Sequence, residues 1–315
     1  MAMISDHWSE LVEPRLRQAF FIGFGQEDRR ASMIPELYNV QGSSMADEKL
    51  FPIGGQSTNA WNFEDSGRVQ YEEIVKGYEE TLIHKEFAKG AIIERKLIDD
   101  NRISRAIAMV EALGDSAFRF KEKAGANVFI NAFSAATSET LDDYGTDAVG
   151  ADLVALCSTA HPRHALDSGT TDSNEGTLSL TDANVSTTRQ LIMAQVDMNG
   201  DLMNLLPDEL LVPPELEDTA LVISRSAQDP DSANNAINPQ AGRYNVKVWH
   251  YLTDANSWFM MDSGRRRQSL LWFNRVPLEF ANMSDFETLQ AKFRGYMRFS
   301  LGWRDWRFVY GQNPS

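Results

Sequence analysis

The chain has 315 residues, a formal net charge of −15 and 43% hydrophobic residues, a composition that belongs to a folded chain rather than a disordered one. Its length sits where a single hydrophobic core stops growing and lobes begin, and its charge repels phosphate at long range, which excludes a histone-like wrapper. The only cysteine, Cys157, excludes an intrachain disulfide and a four-cysteine zinc site, and no run of about 18 apolar residues predicts a membrane span.

Residues 1–60 read as an arm. Trp8, Leu11, Val12, Leu16, Ala19 and Phe20 have near-helical spacing, interrupted at Pro14, which predicts a short amphipathic helix between Ile4 and Phe24. Glycines and prolines then separate short apolar patches such as Met33-Ile34 and Leu37-Tyr38, with no sustained period. Such a segment cannot bury Trp8, Phe20, Phe21 and Phe24 on itself, so they are expected to lie on the body of their own chain or on a neighbour. From Trp61 to Ile98 the pattern is that of strands, with Tyr71, Tyr78, Phe87 and Ile92 among glutamates and lysines. Two or three extended segments are expected there, too thin for a core and in need of a partner surface.

Asp99, Asp100 and Asn101 suit a helix cap, and Ile103, Ala106, Ile107, Val110, Leu113, Ala117, Phe120 and Ala124 follow at spacings of three and four. Continued through Val128 and Phe133, this helix would have roughly 30 residues and a length of about 45 Å, with Gly114 and Gly125 as places to bend or stop. Residues 134–182 read as loops. A second helix is predicted from Thr181-Asp182 to about Met198, a short buried strand at Leu210-Leu211-Val212 ended by Pro213-Pro214, and helical spacing from Glu215 to Ile223. Strands are expected over Tyr244 to Tyr251 and Trp258 to Met261, and a closing pair over Ser269 to Phe273 and Lys292 to Tyr310. In the last of these Phe293, Met297, Phe299, Leu301 and Trp303 alternate with Arg294, Arg298 and Arg304. Arg265, Arg266, Arg267, Arg275 and Arg307 complete a basic last fifth of an acidic chain, suited either to complementary patches between identical copies or to a solvated face.

Chemistry has little to stand on. Cys157, His161, His164 and Asp167 form the one cluster of metal-ligand types, but C-x3-H-x2-H is not a zinc pattern and no second pair follows. A turn fixed by Pro162 is the expected role. No nucleophile elbow, P-loop, dinucleotide fingerprint or HExxH is present, and paired acids such as Glu72-Glu73 and Asp142-Asp143 read as solvated surface. No residue is assigned a catalytic, cofactor-binding or metal-binding role, and the chain is read as non-enzymatic.

The order arm, polar hairpin, long helix, loops, compact α/β lobe and closing strands, an α+β arrangement, resembles the Hong Kong 97-type capsid fold of tailed-phage major head subunits, including the Mu-like prophage branch. The resemblance is carried by EFAKGAIIERKLIDDN (86–101), LCSTAHP (156–162), DELLVPPELE (208–217), NNAINP (234–239) and YLTDANSWF (251–259). It implies an N-terminal arm over 1–60, an E-loop over 61–98, a P-domain with its spine helix over 99–177, an A-domain over 178–283 and P-domain return strands over 284–315. It also implies a shell of pentamers and hexamers in the virion, assembled in the host bacterial cytoplasm around double-stranded DNA that is contacted non-specifically. A separate scaffolding protein and a portal are the expected partners, with no membrane. Trp8, Phe20, Phe21, Phe24, Tyr71, Tyr78 and Phe87 are the expected contacts between subunits. Deletion of residues 1–25 should then leave a soluble lobe that forms no closed shell. A cargo-enclosing bacterial nanocompartment of the same fold, and a metal-dependent hydrolase using His161, His164 and Asp167, are the alternatives.

Overall fold

The computed structural model describes residues 13–25, 32–51, 71, 77–94, 97, 102–134, 150–164, 167–228, 237–285, 287 and 290–314. Helix α1 (Glu13–Gly23) starts with Pro14 in its first turn, where the missing N–H is no loss. The short helix α2 (Ile34–Leu37) leads into strand β1 (Asn39–Gly42), and β2 (Asp47–Leu50) pairs antiparallel with β3 (Glu80–Ile83). Strand β4 (Lys85–Glu94) precedes the long helix α3 (Ile103–Ile130), whose 28 residues span about 42 Å. Asp99, Asp100 and Asn101, expected to cap it, lie outside the described residues; the cap position is Arg102, which makes no side-chain cap bond. Neither Gly114 nor Gly125, the places where it could bend or stop, ends the helix, which runs through both.

A four-stranded sheet in the order β1-β11-β12-β4 is built on the long antiparallel pair β11 (Leu270–Asp285) and β12 (Gln290–Trp303), with β1 added parallel to β11 and β4 antiparallel to β12. Inward residues of β4 and β12, Ile93, Ala291 and Phe293, meet Leu16 and Phe20 of α1 and Ala106, Val110 and Leu113 of α3 in one apolar cluster. Here the glycines have a use. A Cβ on Gly114 would fall on the carbonyl of Phe20, and one on Gly23 on the carbonyl of Glu111, so α1 and α3 cross backbone to backbone.

After α3 come the hairpin β5 (His161–His164) and β6 (Asp167–Asp172), the two-residue strand β7 (Glu175–Gly176) and helix α4 (Asp182–Met193), capped by Thr181 through the Asn184 amide. The expectation that this helix reaches Met198 is corrected. The chain reverses after Met193, where the Asp197 carboxylate accepts the amides of Asn199 and Asp201 and Gly200 takes a positive φ of 89°. Strand β8 (Glu209–Val212), helix α5 (Glu217–Arg225), strands β9 (Asn245–Val248) and β10 (Trp258–Met261), helix α6 (Ser263–Ser269) and strand β13 (Val309–Gln312) complete the chain.

The second sheet has the order β7-β13-β10-β8-β9. Its alternation divides two cores: Leu210, Val212, Trp258 and Met260 face Val185 and Ile192 of α4 and Ala220 and Ile223 of α5, while Leu211, Phe259 and Met261 face the last turns of α3. Two expectations change. The boundary at 283/284 falls inside the continuous strand β11, and the closing residues 309–312 belong to this second sheet rather than to the pair β11–β12. The patches around Met33-Ile34 and Leu37-Tyr38, expected as arm, are core: Ile34, Leu37 and Tyr38 are buried with Phe129, Trp249 and Trp272.

Candidate assembly surface

Residues 32–38 are fastened to the body by buried polar groups. Glu122, 2% exposed on α3, accepts hydrogen bonds from the Ser32 hydroxyl, the Met33 amide (3.3 Å) and the Trp249 indole (3.1 Å). Arg266, 1% exposed, forks onto Glu209 at 2.6 and 3.0 Å and donates to the Leu37 carbonyl; Lys247 reaches Glu36 at 3.1 Å. Tyr38 donates to the Gly125 carbonyl at 2.7 Å, and burial pushes its phenol well above the ordinary value, with Glu122 adding to the effect. Lys121 lies over the rings of Phe24 and Trp272 at 5.9 and 5.3 Å, and burial lowers its pKa.

Between α3 and β4 a groove of about 580 Å³ opens to solvent. Leu113, Phe120, Phe87, Leu278 and Met297 supply its apolar lining. Lys89, Arg119 and Lys123 stand exposed at its rim, opposed by Glu86 and by Asp115, which pairs with Arg119 at 2.8 Å. Apolar side chains also remain uncovered on the neighbouring strands and turns, among them Met45, Phe51, Ile83 and Ile92, and Tyr71 is 92% exposed.

The residues expected between subunits are distributed unevenly. Trp8 lies outside the described residues. Phe20 is corrected: fully buried, it touches Phe21 and Phe280 and belongs to its own chain's core. Phe21 and Phe24 are half-buried against the body, Phe24 edge-on to Phe118. Tyr78 donates to the His164 carbonyl at 3.2 Å, and Phe87 is packed between Phe120 and Phe299, each at 4.8 Å between centroids. Among the described members of the set, Tyr71 alone stands open. Two of the late arginines are likewise internal, Arg266 as above and Arg307 on Asp305, Val196 and Arg163.

The Cys157 cluster does not converge. Cys157 is buried, its thiol pushed well up by desolvation. His161 bonds Asp152 through Nδ1 at 2.7 Å and stacks on Trp306. Among the described residues no group of three His, Cys, Asp or Glu side chains is placed to hold a metal, and no helix is long and apolar enough to cross a membrane.

The four-stranded sheet, the five-stranded sheet and the end of α3 share one core, and an apolar groove opens beside α3. The chain belongs to the phage capsid protein family, whose model matches residues 79–311. Among curated protein sequences none matches it. Its fold is shared with the subunit of Mycobacterium phage Bobi (14% identity, TM-score 0.53, 92% of this chain and 93% of that one) and with the capsid of the cyanophage P-SCSP1u (12%, 0.52, 91% and 89%). A virus-like particle from Pyrococcus furiosus is similar as well (10%, 0.54, 95% and 98%). The fold is the Hong Kong 97-type, and the function is that of a major capsid protein; the Mu-like branch is not singled out, and the nanocompartment reading is not favoured. The family is one of capsid proteins, which are structural.

Proposed function

We propose that the chain builds a closed shell of pentamers and hexamers around double-stranded DNA in the host bacterial cytoplasm, with a separate scaffolding protein and a portal. The four-stranded sheet with α3 serves as the P-domain, the five-stranded sheet as the A-domain, and residues from about 51 to 79 as the loop that reaches a neighbour. The observation that carries this reading is the groove beside α3. Its apolar lining and its rim of Lys89, Arg119 and Lys123 match a partner with aromatic side chains and negative charge. Residues 61–76 of a second copy have that character: Trp61, Phe63 and Tyr71 lie among Glu64, Asp65, Glu72 and Glu73, against two bases, Arg68 and Lys76.

The test is charge reversal. The triple variant Lys89→Glu, Arg119→Glu, Lys123→Glu is expected to keep its circular dichroism and its melting transition while closed particles vanish from electron micrographs. Shells in normal number and size from a folded triple variant would overturn the proposed docking site.

A further inference from the structure

His84 occupies the one residue between β3 and β4, where Ile83 still pairs with Asp47 of β2 and Lys85 already pairs with Phe299 of β12. It is therefore the point at which the β2–β3 ribbon leaves the four-stranded sheet. The side chain is 3% exposed and bonded at both ring nitrogens: Nε2 lies 3.1 Å from the Ser43 hydroxyl and Nδ1 2.9 Å from the Ser300 hydroxyl. Ser43 in turn donates to Glu48 Oε1, so its oxygen accepts from Nε2–H, and Nδ1 accepts from the Ser300 hydroxyl. The relay Ser300, His84, Ser43, Glu48 runs in one direction around a neutral imidazole; around an imidazolium the Ser300 hydroxyl turns and accepts from Nδ1–H.

Every element around the ring bears on its charge. Glu48 and Asp47 of β2 favour the imidazolium; Arg298 of β12, which also donates to the His84 carbonyl at 3.3 Å, and Arg275 of β11 oppose it. Desolvation is the largest influence and lowers the pKa below the ordinary value of 6.5. Behind the ring the ribbon rests on a small core of Leu50, Leu82, Leu271 and Phe273, where a Cβ on Gly302 would stand 2.6 Å from Leu82.

We propose that His84 is a proton-operated pin at the root of the ribbon: neutral, it stays buried between Ser43 and Ser300 and locks β2 and β3 to the sheet; protonated, it carries a charge into a site closed to water beside Arg298, and the ribbon is freed to swing as the imidazolium reaches solvent. The inference rests on the reading of residues 51–79 as the loop that reaches a neighbour, since the pin sets where that loop points. The sign follows from the lowered pKa. Loosening takes up a proton, so the locked state is full strength above about pH 6.5 and weakens as pH falls below it.

Amide hydrogen exchange on the unassembled full-length subunit tests this from pH 7 to 5, with rates corrected for intrinsic chemistry. Protection of residues 47–50 and 80–83 is expected to fall about tenfold for each unit by which the ring's pKa rises on release, while 258–261 stays protected. His84→Gln removes the step, and Glu48→Gln moves it to lower pH by removing an anion that favours the imidazolium. No step in the parent chain, an unchanged step in His84→Gln, or, should that variant fail to fold, an unmoved step in Glu48→Gln overturns the proposal. Because no shell is needed for this readout, it stands or falls apart from the charge-reversal experiment on the groove.

Discussion

Arg266 shows how much one side chain can hold. Its guanidinium joins α6, the Glu209 end of β8 and the carbonyl of Leu37, so three stretches remote in sequence share one buried charge pair. Truncation would strand Glu209, 5% exposed, with only the Lys247 ammonium at 3.7 Å. Arg266→Ala is therefore expected to lower stability by about 3 kcal/mol, toward the low end for breaking a buried pair because Lys247 gives partial cover, as read by chemical denaturation. A loss under about 1 kcal/mol would mean water reaches the site. Nothing in the periodicity marked this arginine among the eight arginines of the last fifth of the chain, because charge patterning cannot tell a solvated guanidinium from one buried on a carboxylate.

At the scale of elements, the helix crossing offers the sharpest contrast with propensity. Replacing a glycine inside a helix by alanine ordinarily stabilises it by about 1 kcal/mol. At Gly114 the sign should reverse, because the added methyl would meet the Phe20 carbonyl and force α1 off α3. Gly114→Ala is expected to cost about 1–3 kcal/mol in thermal or chemical denaturation, and a neutral or stabilising result would show that the crossing can relax. The sequence reading of α3 was right in its apolar stripe and near in its length, since Ala106, Val110 and Leu113 keep strict spacing. It left both glycines open as places to bend or stop, because a glycine that admits a second helix and one that ends the first look alike along a single chain. Glu122 was missed as well. The uncharged run from Ala124 to Ile130 was the available signal, for it shows the helix entering a core where it is buried on every side.

For the whole molecule, the arm is the instructive departure. Its aromatic residues were expected on the body of their own chain or on a neighbour, and Phe20, Phe21 and Phe24 lie on their own chain's α3 and sheet, while Trp8 falls outside the described residues. The capsid assignment thus rests on the fold and the family match rather than on an arm with nowhere to go. The deletion experiment changes accordingly. Removing residues 1–25 takes Leu16 and Phe20 from the core, each side chain worth about 1.5–3 kcal/mol of burial, and uncovers Val110, Leu113 and Phe293. That truncation is expected to precipitate or to melt well below the parent chain, not to persist as the soluble lobe first expected. Removing only residues 1–12, which lie ahead of α1, is expected to leave the melting temperature within a few degrees. If the longer truncation melts with the parent, the α1–α3 cluster contributes less than its burial implies.

The parallel pairing of β1 with β11 carries a consequence for how the polypeptide is made. Leu37 meets Arg266 across 229 positions, so during translation, at roughly 5–20 residues per second, the early strand leaves the ribosome about 10–50 s before its mate exists. Throughout that interval Ile34, Leu37 and Tyr38 trail in solvent beside an open edge, an invitation to promiscuous annealing with other nascent copies. A subunit produced in bulk by an infected cell thus has its greatest exposure to aggregation before its synthesis is complete, and a chaperone that shields this early stretch would raise the yield of usable protein without touching the finished fold.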